Sequence, residues 1–450
     1  MPAFASTLPN QLARTLCDLG RVERLAELGT NGPLLASAGV DSLFHCLFGR
    51  DSLRMADDLL TDFPQLGRAT LLALARLQGV RNNVRGEEEP GRILHELRAP
   101  DDPHAVRLSA AGWDFPYYGA VDTTPQWVKL LGAYCARQGI GILDEPLTDR
   151  LWRSITVRDS LVAALAWIVG RIDDSIGGGY LWVRRAGPNG IQNQVWEDSF
   201  DSYYHADGSL FDVTRPYAPV AVQGYAHDAL RVGADLLERS AGPLPFDPEW
   251  LRARAWRLRD QVLTRFWQAD LGTFAHAMTV ESNGQLRPAR VVASSAGHLL
   301  ASALLDGRDA AAHRAVLIAR LGQPDLLGGA GTRTKSIKAP RFCAGSYHNG
   351  SVWPMDTGVI ADGLRLRGAH RAANDLDQRT LDGCKRVGGF PEFFRGDTEG
   401  SLRVNQETVD TVVDGVPNRL EQPPQGNQGW TATRVWCILR RRGQLARPRH

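Results

Sequence analysis

Apolar residues recur at helical spacing through about twelve stretches of ordinary length, while strand-like alternation is scarce, and this periodicity most constrains what the chain can fold into. The stretches lie near 8–28, 52–63, 66–80, 125–138, 158–172, 220–242, 248–268, 294–305, 309–321, 355–367, 369–386 and 428–443. Their faces differ. The run from Ala69 to Leu77 is apolar nearly all round, as a helix buried between others would be, whereas Arg252 to Asp260 alternates Arg with apolar positions, as an outer, solvated helix would. A mixture of inner and outer helices suits six helical hairpins closed into a double ring, and the lack of internal repeats argues against an open solenoid. The fold class expected is all-α, an (α/α)6 barrel. No Pro/Ser linker or charge block cuts the chain, so residues 1–450 read as one domain.

Long loops rich in Gly, Pro, Asp and Trp separate the helices, chiefly 81–124, 173–219, 325–354 and 387–427. Loops this long inside a compact domain are usually functional. They hold most of the Trp and Tyr together with clustered carboxylates. That combination is what a carbohydrate site needs, because sugar C–H faces stack on rings while hydroxyls need charged acceptors.

Composition removes several other classes. With 43% hydrophobic and 23% charged residues the chain can bury a large core. Its 52 basic and 50 acidic residues leave a net charge of +2, too little to recruit nucleic acid or an anionic membrane. The six cysteines (Cys17, Cys46, Cys135, Cys343, Cys384, Cys437) form no CxxC pair and have no His at metal spacing, so neither a disulfide framework nor a metal site is expected. Gly328 to Ser336 resembles a phosphate loop only superficially: Thr334 rather than Gly precedes Lys335, and no cofactor is expected. No signal peptide and no long apolar span is apparent, so a cytoplasmic location is expected. The oligomeric state is open.

Five segments could carry chemistry. Arg50-Asp51, just before a helix expected near Ser52, offers a forked donor beside an acceptor able to hold two adjacent sugar hydroxyls; Asp51 as a plain helix cap is the competing reading. Trp113 to Pro125 contains Tyr118 and Asp122, the latter also a good helix-start signal. Gln192 to Gly208 packs four acids (Glu197, Asp198, Asp201, Asp207) into eleven residues among aromatics. Arg341 to Asp356 brings Tyr347, His348 and Trp353 before a helix that Pro354 would open, with Asp356 near its positive end. Last, Glu392 stands among Phe390, Phe393 and Phe394, where desolvation should raise its proton affinity as a general base requires; an ion pair with Arg395 is the alternative.

With these segments in hand, the chain resembles bacterial glycogen-debranching-type amylo-α-1,6-glucosidases, within the wider group of (α/α)6-barrel glucosidases that includes glucoamylases and trehalases. The matching phrases are FGRDS (48–52), EPGRILHELR (89–98), YYGAVDTTP (117–125), QVWEDSFDSYYHADG (194–208), APVAVQGYAHDAL (218–230), SYHNGSVWPMDTG (346–358), FPEFF (390–394) and EQPPQGNQGW (421–430). The resemblance implies hydrolysis of an α-linked terminal glucose with inversion, by one acid and one base about 6.5–9.5 Å apart. It makes Asp198 the general acid, with Glu197 and Asp201 as rivals, and Glu392 the base. Arg50 and Asp51 match the pair that holds the terminal sugar. The further candidate sugar contacts are Tyr118, Asp122, Trp196, Glu197, Asp201, Tyr347, His348, Asn349, Trp353, Asp356, Gln428 and Trp430. Two departures from the family pattern stand out: the N-terminal β-rich domain of debranching enzymes is not expected here, and the loop 395–420 is longer than the family's short form. A small glucoside or an oligosaccharide is therefore as plausible as a branched polymer.

Two other classes fit the same ring of helices. A sugar epimerase or polysaccharide lyase would use His348 with His205 or His227 instead of two opposed acids. A non-catalytic sugar-binding barrel would keep the aromatic platform without turnover.

Overall fold

The computed structural model describes residues 12, 33–37, 44–173, 176–397, 408–413, 416–421 and 424–445. Among them are eleven α-helices: α1 (Gly49–Leu59), α2 (Pro64–Arg76), α3 (Pro103–Ala110), α4 (Thr123–Gln138), α5 (Val157–Ile172), α6 (Val220–Arg239), α7 (Pro248–Gln261), α8 (Ala311–Leu321), α9 (Pro354–Leu366), α10 (His370–Val387) and α11 (Gly429–Arg441). Apart from Leu12, the stretch expected at 8–28 lies outside the described residues.

Local chemistry sets the helix ends. Proline in the first turn, where its missing N–H costs nothing, opens α2, α3, α7 and α9. Thr156 and Asp159 form a reciprocal capping box at the start of α5, and Asp247 accepts from the Glu249 N–H at the start of α7. Gly388, at φ 72°, ends α10 in the left-handed conformation.

Four boundaries differ from expectation. The first helix starts at Gly49, whose N–H donates to the His95 carbonyl at 2.9 Å, so Arg50 and Asp51 lie inside its first turn and Asp51 is not the cap. The loop 81–124 contains α3, capped by Asp102 accepting from the His104 N–H at 2.7 Å. The stretch expected as a helix over 294–305 is wound as 3-10 turns, Ser294–Ala301 and Ala303–Leu305; Ser302, between them, is extended and its hydroxyl accepts from the Leu304 N–H at 3.1 Å. Beyond Gln261, α7 passes into a π turn over Val262–Phe266.

Small antiparallel pairings add to the helices. Tyr217–Pro219, Ala277–Val280 and Leu286–Ala289 form a three-stranded sheet, and Thr408–Val413 pairs with Val416–Glu421 within the expected loop 387–427. Strands this short leave little alternation to detect.

Six segments pack in succession: α1 on α4, α4 on α6, α6 on Ser294–Ala301, that segment on α9, α9 on α11, and α11 back on α1. Outside them, α2 lies on α1 and α4, α5 on α4 and α6, α7 on α6, α8 on Ser294–Ala301, and α10 on α9 and α11. Leu71 to Ala75 of α2 are buried, although α2 lies outside the six segments and not among them, while Trp256 and Arg257 of α7 face solvent as expected of an outer helix. A buried ion pair strengthens the junction of α1, α9 and α11: Arg434 donates to Asp58 and Asp362, each at 2.7 Å. Among the described residues no helix is long and apolar enough to cross a membrane.

Candidate active site

The N-terminal ends of the six successive segments carry the residues of interest, and contacts between neighbouring segments tie them together. Arg50 of α1 holds Asp122, at the start of α4, with a forked pair of hydrogen bonds, Nε to Oδ2 at 2.8 Å and Nη2 to Oδ1 at 3.2 Å. Gln428, just before α11, donates to Asp51 of α1 at 3.0 Å. Trp430 meets Trp353, just before α9, edge to face at 5.6 Å. Asp356 of α9 pairs with His298 Nε2 at 2.8 Å, and His298 Nδ1 meets the Tyr225 hydroxyl of α6 at 2.5 Å.

Three loops fold over this floor. The loop after Gln192 lays Trp196 flat on His298 (5.9 Å, 23°) and edge-on to Trp353 (6.1 Å). Two residues on, the Asp198 carboxylate stands 4.0 Å from Arg50 Nη1, its side chain 30% exposed. The loop before α9 supplies Tyr347 and His348, the latter stacked on Trp353 at 4.9 Å. The Ser199 amide donates to His348 Nδ1 at 3.2 Å, which leaves the ring proton on Nε2, and burial holds this imidazole well below its ordinary pKa and neutral. The third loop brings Glu392, which accepts from the Tyr347 hydroxyl and from the Gln425 amide (3.1 Å) while Phe393 stacks on Trp353 at 4.9 Å. Arg395, the alternative partner of Glu392, instead reaches Asp397 at 3.2 Å.

Three carboxyls here are lifted into the neutral range, each chiefly by burial. Asp198 is pushed up to about 7, with Arg50 opposing and Asp122 adding to the rise. Asp51 is pushed up to about 7, opposed by Arg50 and helped by the charge of Asp198. Glu392 is pushed up to about 8, opposed by the hydrogen bonds from Tyr347 and Gln425 and helped by the charges of Asp51 and Asp198. The charge of Asp198 thus raises the proton affinity of both Asp51 and Glu392.

The neighbouring acids are held differently. Glu197 is completely buried, ion-paired with Lys335 and bonded to His276 Nε2 at 2.7 Å and the Tyr203 hydroxyl at 3.2 Å. Burial alone would raise its pKa, but Lys335 and His276 outweigh that and hold it well below the carboxylate range. Of the expected sugar contacts and rival acids, Glu197 thus lies inside the protein with its carboxylate oxygens held by Lys335, His276 and Tyr203. Asp201 accepts from Asn349 Nδ2 at 2.8 Å, so these two join the Asp198 loop to the Tyr347 loop. Tyr118, also expected as a sugar contact, lies buried by the end of α2, donating to the Leu77 carbonyl at 2.5 Å and accepting from Arg150 at 2.7 Å.

Sequence reasoning passed over His298, Tyr225, Lys335, His276 and Gln425. His298 and Tyr225 sit inside helical stretches and carry no loop signal, and Lys335 figured only in the failed phosphate loop. Gln425 acts through its main chain, which no side-chain pattern reveals. No hydrogen bond or ring contact joins His348 to His205 or His227; His227 pairs instead with Asp228 at 3.1 Å. Among the described residues no group of three His, Cys, Asp or Glu is placed to hold a metal ion.

Paired carboxyls of raised pKa on an aromatic wall, above a ring of helices, define a glycoside hydrolase. Residues 119–408 match the model of the mannosylglycerate hydrolase MGH1-like glycoside hydrolase domain, and the chain belongs to that family. It is similar in fold to the GH63 mannosylglycerate hydrolase of Thermus thermophilus in complex with Tris and D-glycerate, at 14% identity and a TM-score of 0.62 over 96% of this chain and 100% of that one. The same hydrolase in complex with glucose superposes at a TM-score of 0.59, with 14% identity over 96% of this chain and 99% of that one. An uncharacterized conserved protein from the same organism does so at 0.60, with 15% identity, 96% and 99%. No curated protein matches the chain. The debranching resemblance carries over at the level of glycoside hydrolase.

Proposed function

We propose that the chain is an inverting α-glycosidase that releases a terminal hexose from a small α-glycoside, built as one (α/α)6 barrel whose inner helices are the six successive segments. Asp198 gives its proton to the glycosidic oxygen as the bond from that oxygen to C1 breaks. Water attacks C1 from the opposite face, passes its proton to Glu392, and leaves a product of inverted configuration. Arg50 and Asp51 hold hydroxyls of the terminal sugar, and Trp353, Trp430 and Trp196 supply its apolar wall. What most supports this reading is that Asp198, with its side chain 30% exposed beside Arg50, is more open than the buried Glu197 and Asp201.

On substrate, the structural neighbours are described with mannosylglycerate, D-glycerate and glucose. A glucoside or mannoside with a three-carbon aglycone is the first choice, and an α-1,6-glucan branch the second. Following the anomeric proton by NMR during hydrolysis of a panel of such glycosides tests both points. A β-hexose appearing first from an α-glycoside is expected; an α-hexose appearing first overturns the mechanism.

A further inference from the structure

Behind the candidate active site lies a cavity of about 300 Å³ that the proposed hydrolysis does not use. It runs along the axis of the six segments. On α1 it is lined from Arg50 to Asp57 and on α4 from Gln126 to Ala133, an advance of seven residues in each case, or about 10 Å at ~1.5 Å per residue. At its inner end are Arg50 and Trp196, which also form the back wall of the site holding Asp198. Its outer end is open: Leu366, at the end of α9, is 64% exposed, and the Asp57 side chain 48% exposed.

The wall chemistry selects a class of ligand. Every cation on it is committed: Arg50 to Asp122 at 2.8 Å, Arg54 to Asp58 and to Asp362 at 3.2 Å, and Lys129 to Asp228 at 2.7 Å. An anion would find no free partner there. Donors and acceptors remain, however. Gln126 contributes a side-chain amide, and Asp57 a carboxylate 3.5 Å from Arg54. Between them Leu53, Leu130 and Val359 give aliphatic surface, and Tyr225 and Trp196 give rings. A carboxylate and an amide interleaved with apolar surface, in a volume at the small end of ligand sites (about 300–1,000 Å³), suit the hydroxyls and C–H faces of a compact polyol.

We propose that this rear mouth is a second binding site, for a neutral polyol of monosaccharide size or smaller, sharing the wall of Arg50 and Trp196 with the candidate active site. It goes beyond the proposed hydrolysis and depends on that reading only for the shared wall. Calorimetric titration of the whole chain with D-glucose, and separately with glycerol, provides the test. Two binding events per chain are expected with glucose. Ala133→Trp and Leu366→Trp, which fill the outer mouth from two helices, each remove one event, and Leu366 is exposed enough for its replacement to leave folding intact. Asp51→Ala removes the other. An event count that neither tryptophan variant changes overturns the rear site. Two events surviving in Asp51→Ala while the tryptophan variants lose one leaves the rear site standing and overturns the front one.

Discussion

Replacing Tyr347 by Phe removes one hydroxyl and keeps a ring that packs edge-on against Trp353 at 5.0 Å and Phe393 at 5.1 Å, so the wall should stay in place. The lost group is the donor to Glu392. That bond favours the charged carboxylate, so its loss raises the Glu392 pKa further above about 8. A hydrogen bond to a charged group contributes about 1.5–3 kcal/mol, and one pKa unit is ~1.36 kcal/mol, so the rise is about one to two units. The proposed chemistry needs Asp198 protonated and Glu392 ionised. With the two near 7 and 8, only about one tenth of the singly protonated pairs carry the proton on Asp198. Tyr347→Phe cuts that fraction about 10- to 100-fold, and kcat/KM at the optimum falls with it. In the unmodified enzyme kcat/KM should be bell-shaped in pH with limbs near 7 and 8. The variant keeps the acid limb and moves the alkaline limb up by about one to two units. Initial rates on a chromogenic α-glycoside across pH measure both effects. A kcat/KM within twofold of the parent with an unmoved alkaline limb would refute the reasoning.

Asp198→Asn and Glu392→Gln should each lower kcat by about 10²–10⁴-fold with the fold intact by circular dichroism, as expected for a lost general acid or base; near-parental turnover in either removes that residue from the mechanism. Lys335→Met strands the buried Glu197 and should cost about 3–5 kcal/mol in urea unfolding. Because the folded Glu197 pKa is depressed, its stabilisation is present above the ordinary value of 4.5 and is lost as pH falls toward the folded value. The parent should therefore lose stability steeply below about pH 4.5 and the variant should not; parallel curves sink the assignment. Gly49→Ala would set a Cβ 2.2 Å from the Leu94 carbonyl oxygen, a backbone atom that cannot swing aside. It should cost about 1–3 kcal/mol by displacing the first turn of α1, and kcat/KM should drop because Arg50 and Asp51 move with it; unchanged kinetics would separate that turn from the site.

How much of this is legible in the sequence depends on which atoms carry the information. Helices α4, α5, α6, α9, α10 and α11 fall close to their expected stretches, because long amphipathic or buried faces repeat often enough to be read. The 3-10 segment at Ser294 reads as a helix, since its apolar content is helix-like and only the path of the backbone differs. In the site, the aromatic and acidic phrases point to the loops that the structure brings together but cannot rank the acids within one. Glu197 and Asp198 are adjacent, yet their side chains have different surroundings. One meets Lys335, 138 positions away, and the other faces the cleft beside Arg50. No local pattern encodes Lys335 as the counter-ion, because the contact exists only once the loop before α9 closes on the loop before α6. The same long-range contact that buries Glu197 leaves the Asp198 side chain 30% exposed, so which of the two acids is accessible is a property of the tertiary structure.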